Sequence, residues 1–116
     1  MSKQQVIKSI EIYPLDVPLI NPFTIAVTNH THLNNVAVKI TLADGSIGWG
    51  ETPTLPPLTR EDQTSAISLL NLEAQTLTGR DAGEWRRIST ELNERIPEYP
   101  SVRCGLEMAL LDALTH

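Results

Sequence analysis

The sequence predicts an α+β domain in which a three-stranded antiparallel meander sheet precedes a three-helix layer. Three observations carry that expectation. Apolar residues alternate with period two through the first half of the chain, they recur at helical spacing through the second half, and a Pro-rich stretch at 52–59 divides the two. The chain has 116 residues, 41% of them hydrophobic, which suits a single domain, 1–116, burying roughly two thirds of its unfolded surface. Two Trp, two Tyr and one Phe are the only aromatic residues, so aliphatic side chains must fill the core.

The opening strand is expected over 7–15, alternating through Ile10 and Ile12 toward Leu15, with Pro14 confining it to an edge or an end of the sheet. A long connection follows over 16–34. It carries Pro18, Pro22, His30 and His32, with Phe23, Ile25 and Val27 alternating inside it, and its length in so small a domain points to a functional segment. Val36, Val38, Ile40 and Leu42 then form the second strand. Asp44 and Gly45 supply the chemistry of a tight hairpin turn, and Ile47 and Trp49 follow on the same parity as the third strand.

Pro53, Pro56 and Pro57 exclude regular structure after the hairpin. Thr59 is the expected N-cap of the first helix, Glu61 and Asp62 place negative charge at its start, and Ala66, Leu70, Ala74 and Leu77 line its apolar face up to Gly79. The second helix is expected from about Asp81, which with Glu84 forms an Asp version of a capping box. It buries Trp85, Ile88, Leu92 and Ile96 and stops at Pro97.

Ser101 is expected to cap the third helix, whose stripe is Val102, Leu106, Ala109, Leu110 and Ala113. Gly105 inside that stripe marks a close approach by another backbone, since an exposed mid-helix Gly costs about 1 kcal/mol relative to Ala. Met108, Leu111 and Leu114 widen the arc beyond what a three-stranded layer covers. A larger apolar partner is therefore expected against the face around Leu106, Leu110, Leu111 and Leu114.

The formal charge is -5 and no run of Lys or Arg occurs, which argues against nucleic acid as a partner. The lone cysteine, Cys104, has no internal disulfide partner, lies in an apolar helical pattern and is expected to be buried. That cysteine usage, with no continuous apolar segment for a secretory signal or a membrane span, gives a cytoplasmic reading with no membrane partner.

Candidate chemistry is sparse. His30 and His32, two residues apart, have the spacing of a zinc-binding pair, but further ligands are missing nearby and a solvent-facing loop accounts for them better. Glu51, Glu61, Asp62 and Glu84 show no pairing that would converge two carboxylates with separated pKa values; helix capping explains Asp62 and Glu84, and a hydrogen-bonded strand end explains Glu51. The glycines of GWG lack the spacing of phosphate loops and run into prolines where a helix N-terminus is required. No catalytic residue and no metal ligand is assigned.

The order of DGSIGWGE at 44–51, TPTLPPLT at 52–59, LTGRD at 77–81 and GLEMALLDAL at 105–114 resembles the N-terminal capping domain of the mandelate racemase and muconate lactonizing enzyme branch of the enolase superfamily. The run PLINPFTIAV and its spacing to NVAVKITLADGSIGWGE look most like dipeptide epimerases, with muconate cycloisomerases and o-succinylbenzoate synthases as close relatives. The resemblance implies that the domain closes a Mg²⁺-dependent (β/α) barrel. Such a barrel needs about 250 residues and is absent from this chain.

On that resemblance the barrel would carry the metal and the Lys bases and would abstract a proton α to a carboxylate. This chain would contribute two specificity loops, at 19–33 and 52–58, with Phe23, Ile25, His30, His32, Thr54 and Leu55 as the expected substrate-facing residues. The implied partners are the barrel and a small carboxylate or dipeptide, with self-association through the exposed helical face. No Lys or Arg occurs between Asp16 and Val38, where such relatives commonly carry a basic residue, which speaks against an acidic dipeptide. A standalone α+β module for protein interaction or self-association is the competing reading.

Overall fold

The computed structural model describes residues 5–24, 29–54 and 62–115, with side chains described outside 16–34. Its elements are β1 (Ile7–Thr24), β2 (Asn29–Leu42), β3 (Ile47–Thr52), α1 (Gln63–Leu77), a short 3₁₀ turn (Ala82–Glu84), α2 (Trp85–Arg95) and α3 (Pro100–Leu114). The strands form one antiparallel sheet in the order β1-β2-β3. This is the meander and three-helix arrangement expected from the sequence.

The expected connection at 16–34 is largely a pair of strands. The β1–β2 ladder continues through Val17 opposite Leu33 and Pro18 opposite His32, and resumes with Phe23 opposite His30. Proline at 18 falls within this ladder. It is tolerated because β1 has a neighbour on one side only, so a missing N–H on its free side costs no ladder bond. The register shift between Pro18 and Phe23 falls around Pro22.

A second register shift, between Ile7 and Ser9, gives β1 one extra residue at Lys8. This bulge lets Ile7 share the helix-facing side with Ile10 and Ile12, although their numbers differ in parity. Ile7 pairs with Leu42, Ile10 with Ile40 and Ile12 with Val38, and the β2 residues of this set are fully buried. The loop after α1 closes the start of the strand: the Ile7 N–H donates to the Arg80 carbonyl at 2.8 Å and the Gly79 N–H to the Ile7 carbonyl at 2.9 Å.

The β2–β3 turn contains Gly45 at φ 92°, and the Asp44 carboxylate accepts from the Ser46 N–H at 2.8 Å. Thr41 pairs with Ile47, Ile40 with Gly48 and Val38 with Gly50. Even-numbered residues of both strands therefore share the helix-facing side, and odd-numbered ones face away. Ile47 and Trp49, the large residues of β3, lie on the outer face, where they are 38% and 48% exposed. The inner face of β3 is Gly48, Gly50 and Thr52.

That inner face receives α3. A Cβ at Gly48 would lie 2.1 Å from the Ala109 carbonyl oxygen, and one at Gly50 would lie 2.0 Å from the Gly105 carbonyl oxygen. A Cβ at Gly105 would meet the Thr52 hydroxyl oxygen at 2.2 Å. The helix backbone thus lies directly on the strand backbone. Gly105, Ala109 and Ala113, spaced four apart, give the helix a matching row of small residues.

Helix boundaries differ from the expected ones. The N-cap of α1 is Asp62, whose carboxylate accepts from the Ser65 N–H at 2.7 Å and is held below its ordinary pKa by that bond; Thr59 lies outside the described residues. Asp81 caps the 3₁₀ turn by accepting from the Gly83 N–H, Trp85 is half-buried beneath Arg86, and α2 buries Ile88 and Leu92. In α3 the cap position is Tyr99 and Pro100 opens the helix, because proline fits the first turn, where its missing N–H has no intrahelical acceptor.

Two expectations about α3 are corrected. Leu106 and Leu110 are core residues on the strand-facing side and are not part of an exposed face. Cys104 is exposed, because it lies on the side of the helix opposite the buried arc of Val102, Leu106, Ala109 and Ala113, with Met108 and Leu111 following it at helical spacing.

An ionic network fastens α1 to α2. Glu73, 7% exposed at its side chain, accepts from Arg95 Nε at 3.1 Å and Nη2 at 2.5 Å, while Arg80 and Arg95 both reach Glu91. The Arg80 hydrogen bonds, with those of Arg95, hold the Glu91 carboxyl down at about 2.

Two outcomes are expected. Gly50→Ala should lower the unfolding free energy in urea titrations by about 3 kcal/mol, near the top of the usual range for overpacking, since the clash is with backbone. Leu72→Ala, at a surface site, should change it by less than about 0.5 kcal/mol, and equal effects at the two sites would contradict the seam. Because the folded pKa of Glu91 lies below its unfolded value of 4.5, its contribution to stability is complete above that pH and is lost as pH falls through about 2. Denaturation midpoints measured over that window should fall in the parent, and Arg80→Ala should flatten the curve there.

Candidate functional site

The two expected specificity segments leave the three-stranded part of the sheet at one place. Asn35 is the β2 residue where the distal β1–β2 hairpin joins the sheet, and Thr54 lies two residues past the end of β3, where the Pro-rich stretch begins. Asn35 is 5% exposed and Thr54 is 3% exposed. The Asn35 side chain joins them: its Nδ2 donates to Glu51 Oε2, and its Oδ1 accepts from the Thr54 N–H at 3.3 Å.

The same residue reaches the helical layer. Gln63 Nε2, in the first turn of α1, donates to the Asn35 carbonyl at 3.0 Å. At the other side of the strand end, the Thr52 hydroxyl donates to the Ser101 carbonyl at 3.1 Å, tying β3 to the start of α3. Asn35, Glu51, Thr52, Thr54, Gln63 and Ser101 thus form a polar junction among β2, β3, α1, α3 and the segment that follows β3. Such a junction can orient the segments that leave it, but it contains no nucleophile–base pair.

Of the expected substrate-facing residues, Phe23 and His30 are paired positions on β1 and β2, His32 lies opposite Pro18, and Thr54 sits at the junction. Ile25 and Leu55 lie outside the described residues. The hairpin positions and Thr54 therefore belong to two segments that share a root at Asn35. Sequence reading missed Asn35 itself; an Asn before the run VAVKI carries no signal until the pairing register places it beside Glu51.

The outer sheet face carries Tyr13 and Trp49 with ring centroids 6.2 Å apart, and Lys39 Nζ lies 5.7 Å from the Trp49 ring. The Tyr13 hydroxyl hydrogen-bonds Glu11, which raises its pKa. The Trp49 N–H, on the free edge of β3, donates to Asp112 Oδ2 of α3 at 2.8 Å. This caps an edge that would otherwise present a bare donor.

Among the described residues no group of three or more His, Cys, Asp or Glu can hold a metal ion. The described residues do not fit a Mg²⁺ site, which calls for an oxygen-rich, near-octahedral set. No helix among them is long and apolar enough to cross a membrane.

The family model for the mandelate racemase / muconate lactonizing enzyme N-terminal domain matches residues 9–116. An L-Ala-D/L-amino acid epimerase of Populus trichocarpa is 42% identical over 110 residues, covering 93% of this chain and 26% of that protein. The crystal structure of a mandelate racemase/muconate lactonizing protein from Herpetosiphon aurantiacus superposes with a TM-score of 0.92 at 38% identity, covering 98% of this chain and 32% of that one. A dipeptide epimerase from Cytophaga hutchinsonii, solved with Mg and the dipeptide D-Ala-L-Val, gives a TM-score of 0.85 at 28% identity, with coverages of 90% and 28%. This chain thus spans about a quarter to a third of the length of these relatives. Its fold, its motifs and an almost end-to-end match place it in one family: the chain belongs to the N-terminal domains of the mandelate racemase and muconate lactonizing enzyme branch of the enolase superfamily.

Proposed function

We propose that this chain is the capping and substrate-specificity domain of a cytoplasmic, Mg²⁺-dependent isomerase, a dipeptide epimerase or a muconate cycloisomerase-like enzyme, that abstracts a proton α to a carboxylate. The observation that carries this reading is the pattern of coverage: an epimerase relative matches 93% of this chain, yet the match accounts for 26% of that enzyme. The chemistry then resides in the remainder, a C-terminal barrel, and the domain alone is not catalytic. Its role is to present the hairpin at 19–33 and the segment at 52–58 to the substrate.

Two features support the reading. The stripe of Cys104, Met108 and Leu111, with Met108 46% and Leu111 39% exposed, offers an apolar face on which a further domain can pack. The absence of Lys and Arg between Asp16 and Val38 speaks against a dipeptide with an acidic side chain.

Solvent-deuterium exchange tests the proposal. A full-length protein containing this chain, supplied with Mg²⁺, should wash deuterium into L-Ala-L-Phe faster than into L-Ala-L-Glu, while the 116-residue chain should exchange neither. Exchange into no dipeptide or other carboxylate acid by the full-length protein would overturn the reading. The isolated chain should also bind a hydrophobic dye, and Met108→Lys with Leu111→Lys should remove most of that signal. A dye-silent isolated chain would show that the stripe needs no covering partner.

A further inference from the structure

We infer that Asn35 is a positioning residue that latches the roots of the two substrate-facing segments to each other, so that the start of the hairpin beyond Asn35 and the exit from β3 at Thr54 are set as one unit. The functional half of this inference rests on the capping role proposed above; the latch itself rests on the geometry of this chain. Asn35 contacts both segment roots and the helical layer: its amide nitrogen donates to Glu51, its amide oxygen accepts from the Thr54 N–H, and its carbonyl accepts from Gln63.

The chemistry is specific to an amide. The side chain must offer a donor to one neighbour and an acceptor to the other at the same time, from a 5% exposed position. Aspartate keeps the acceptor for Thr54 and turns the contact with Glu51 into repulsion between two carboxylates. Alanine removes both bonds and leaves the buried Thr54 N–H without this acceptor. An apolar residue of similar size would fill the space and hold neither segment.

A polarity swap separates a latch from a bulk contribution to folding. Asn35→Asp removes the donor, and Glu51→Gln in the same chain restores a donor from the opposite side, rebuilding the bond with its direction reversed. Amide hydrogen exchange on the 116-residue chain should show the Thr54 N–H exchanging about tenfold faster in Asn35→Ala, with core amides such as Ile40 and Leu70 changing much less. Protection at Thr54 should survive in Asn35→Asp.

In the full-length protein with Mg²⁺ and L-Ala-L-Phe as the probe, Asn35→Asp should raise KM about tenfold with kcat changed less than about twofold, and adding Glu51→Gln should return KM toward the parent value. Unchanged exchange at Thr54 in Asn35→Ala, acceleration equal to that of Ile40 and Leu70, or failure of the swap to restore KM would each overturn the latch. If the full-length protein turns over no dipeptide or other carboxylate acid, the proposed function falls, and the exchange result on the isolated chain still decides the latch.

Discussion

The direct contact between the backbones of β3 and α3 is the constraint on which the rest of this domain depends. Gly48 and Gly50 on the strand face Gly105, Ala109 and Ala113 on the helix, and no side chain larger than a methyl separates them. Close approach of this kind gives many weak dispersion contacts per residue and leaves no room for relaxation if a carbon is added. It also fixes the helix along the strand. Asp112 then reaches the Trp49 N–H, and the start of α3 reaches the Thr52 hydroxyl.

Several features that look independent in the sequence follow from that seam. GWGE and GLEMALLDAL are the two surfaces of one contact, which explains why their joint occurrence is informative when either alone is common. The glycines of GWG, which lack the spacing of a phosphate loop, serve helix packing. Trp49 is pushed to the outer face by the same alternation, where it meets Tyr13 and Lys39. LTGRD has a separate local logic: Gly79 and Arg80 pair with Ile7, Arg80 reaches Glu91, and Asp81 caps the following turn.

The fold class, the edge position of β1, the hairpin turn and most core residues were legible because each rests on local period or turn chemistry. What was not legible depends on register. The β1 bulge at Lys8 and the pairing of Thr41 with Ile47 decide which face each side chain takes, and neither leaves a mark in composition. The strands within 16–34 were hidden by prolines that only an edge strand tolerates. Cys104 was misplaced because an apolar arc that runs around a helix does not reveal which side meets the sheet. Asn35 was invisible for the same reason: its partners lie 16, 19 and 28 residues away.

If the seam organises the domain, it should also be the last part to open. Native-state hydrogen exchange on the isolated chain measures this directly, amide by amide. The account predicts that Val38, Ile40, Ala109 and Leu110 exchange only through global unfolding, at the free energy obtained from urea denaturation. Amides of α1 and α2, such as those of Leu70 and Leu92, should open at lower free energy. Finding Ala109 and Leu110 open while Leu70 and Leu92 stay protected would contradict it.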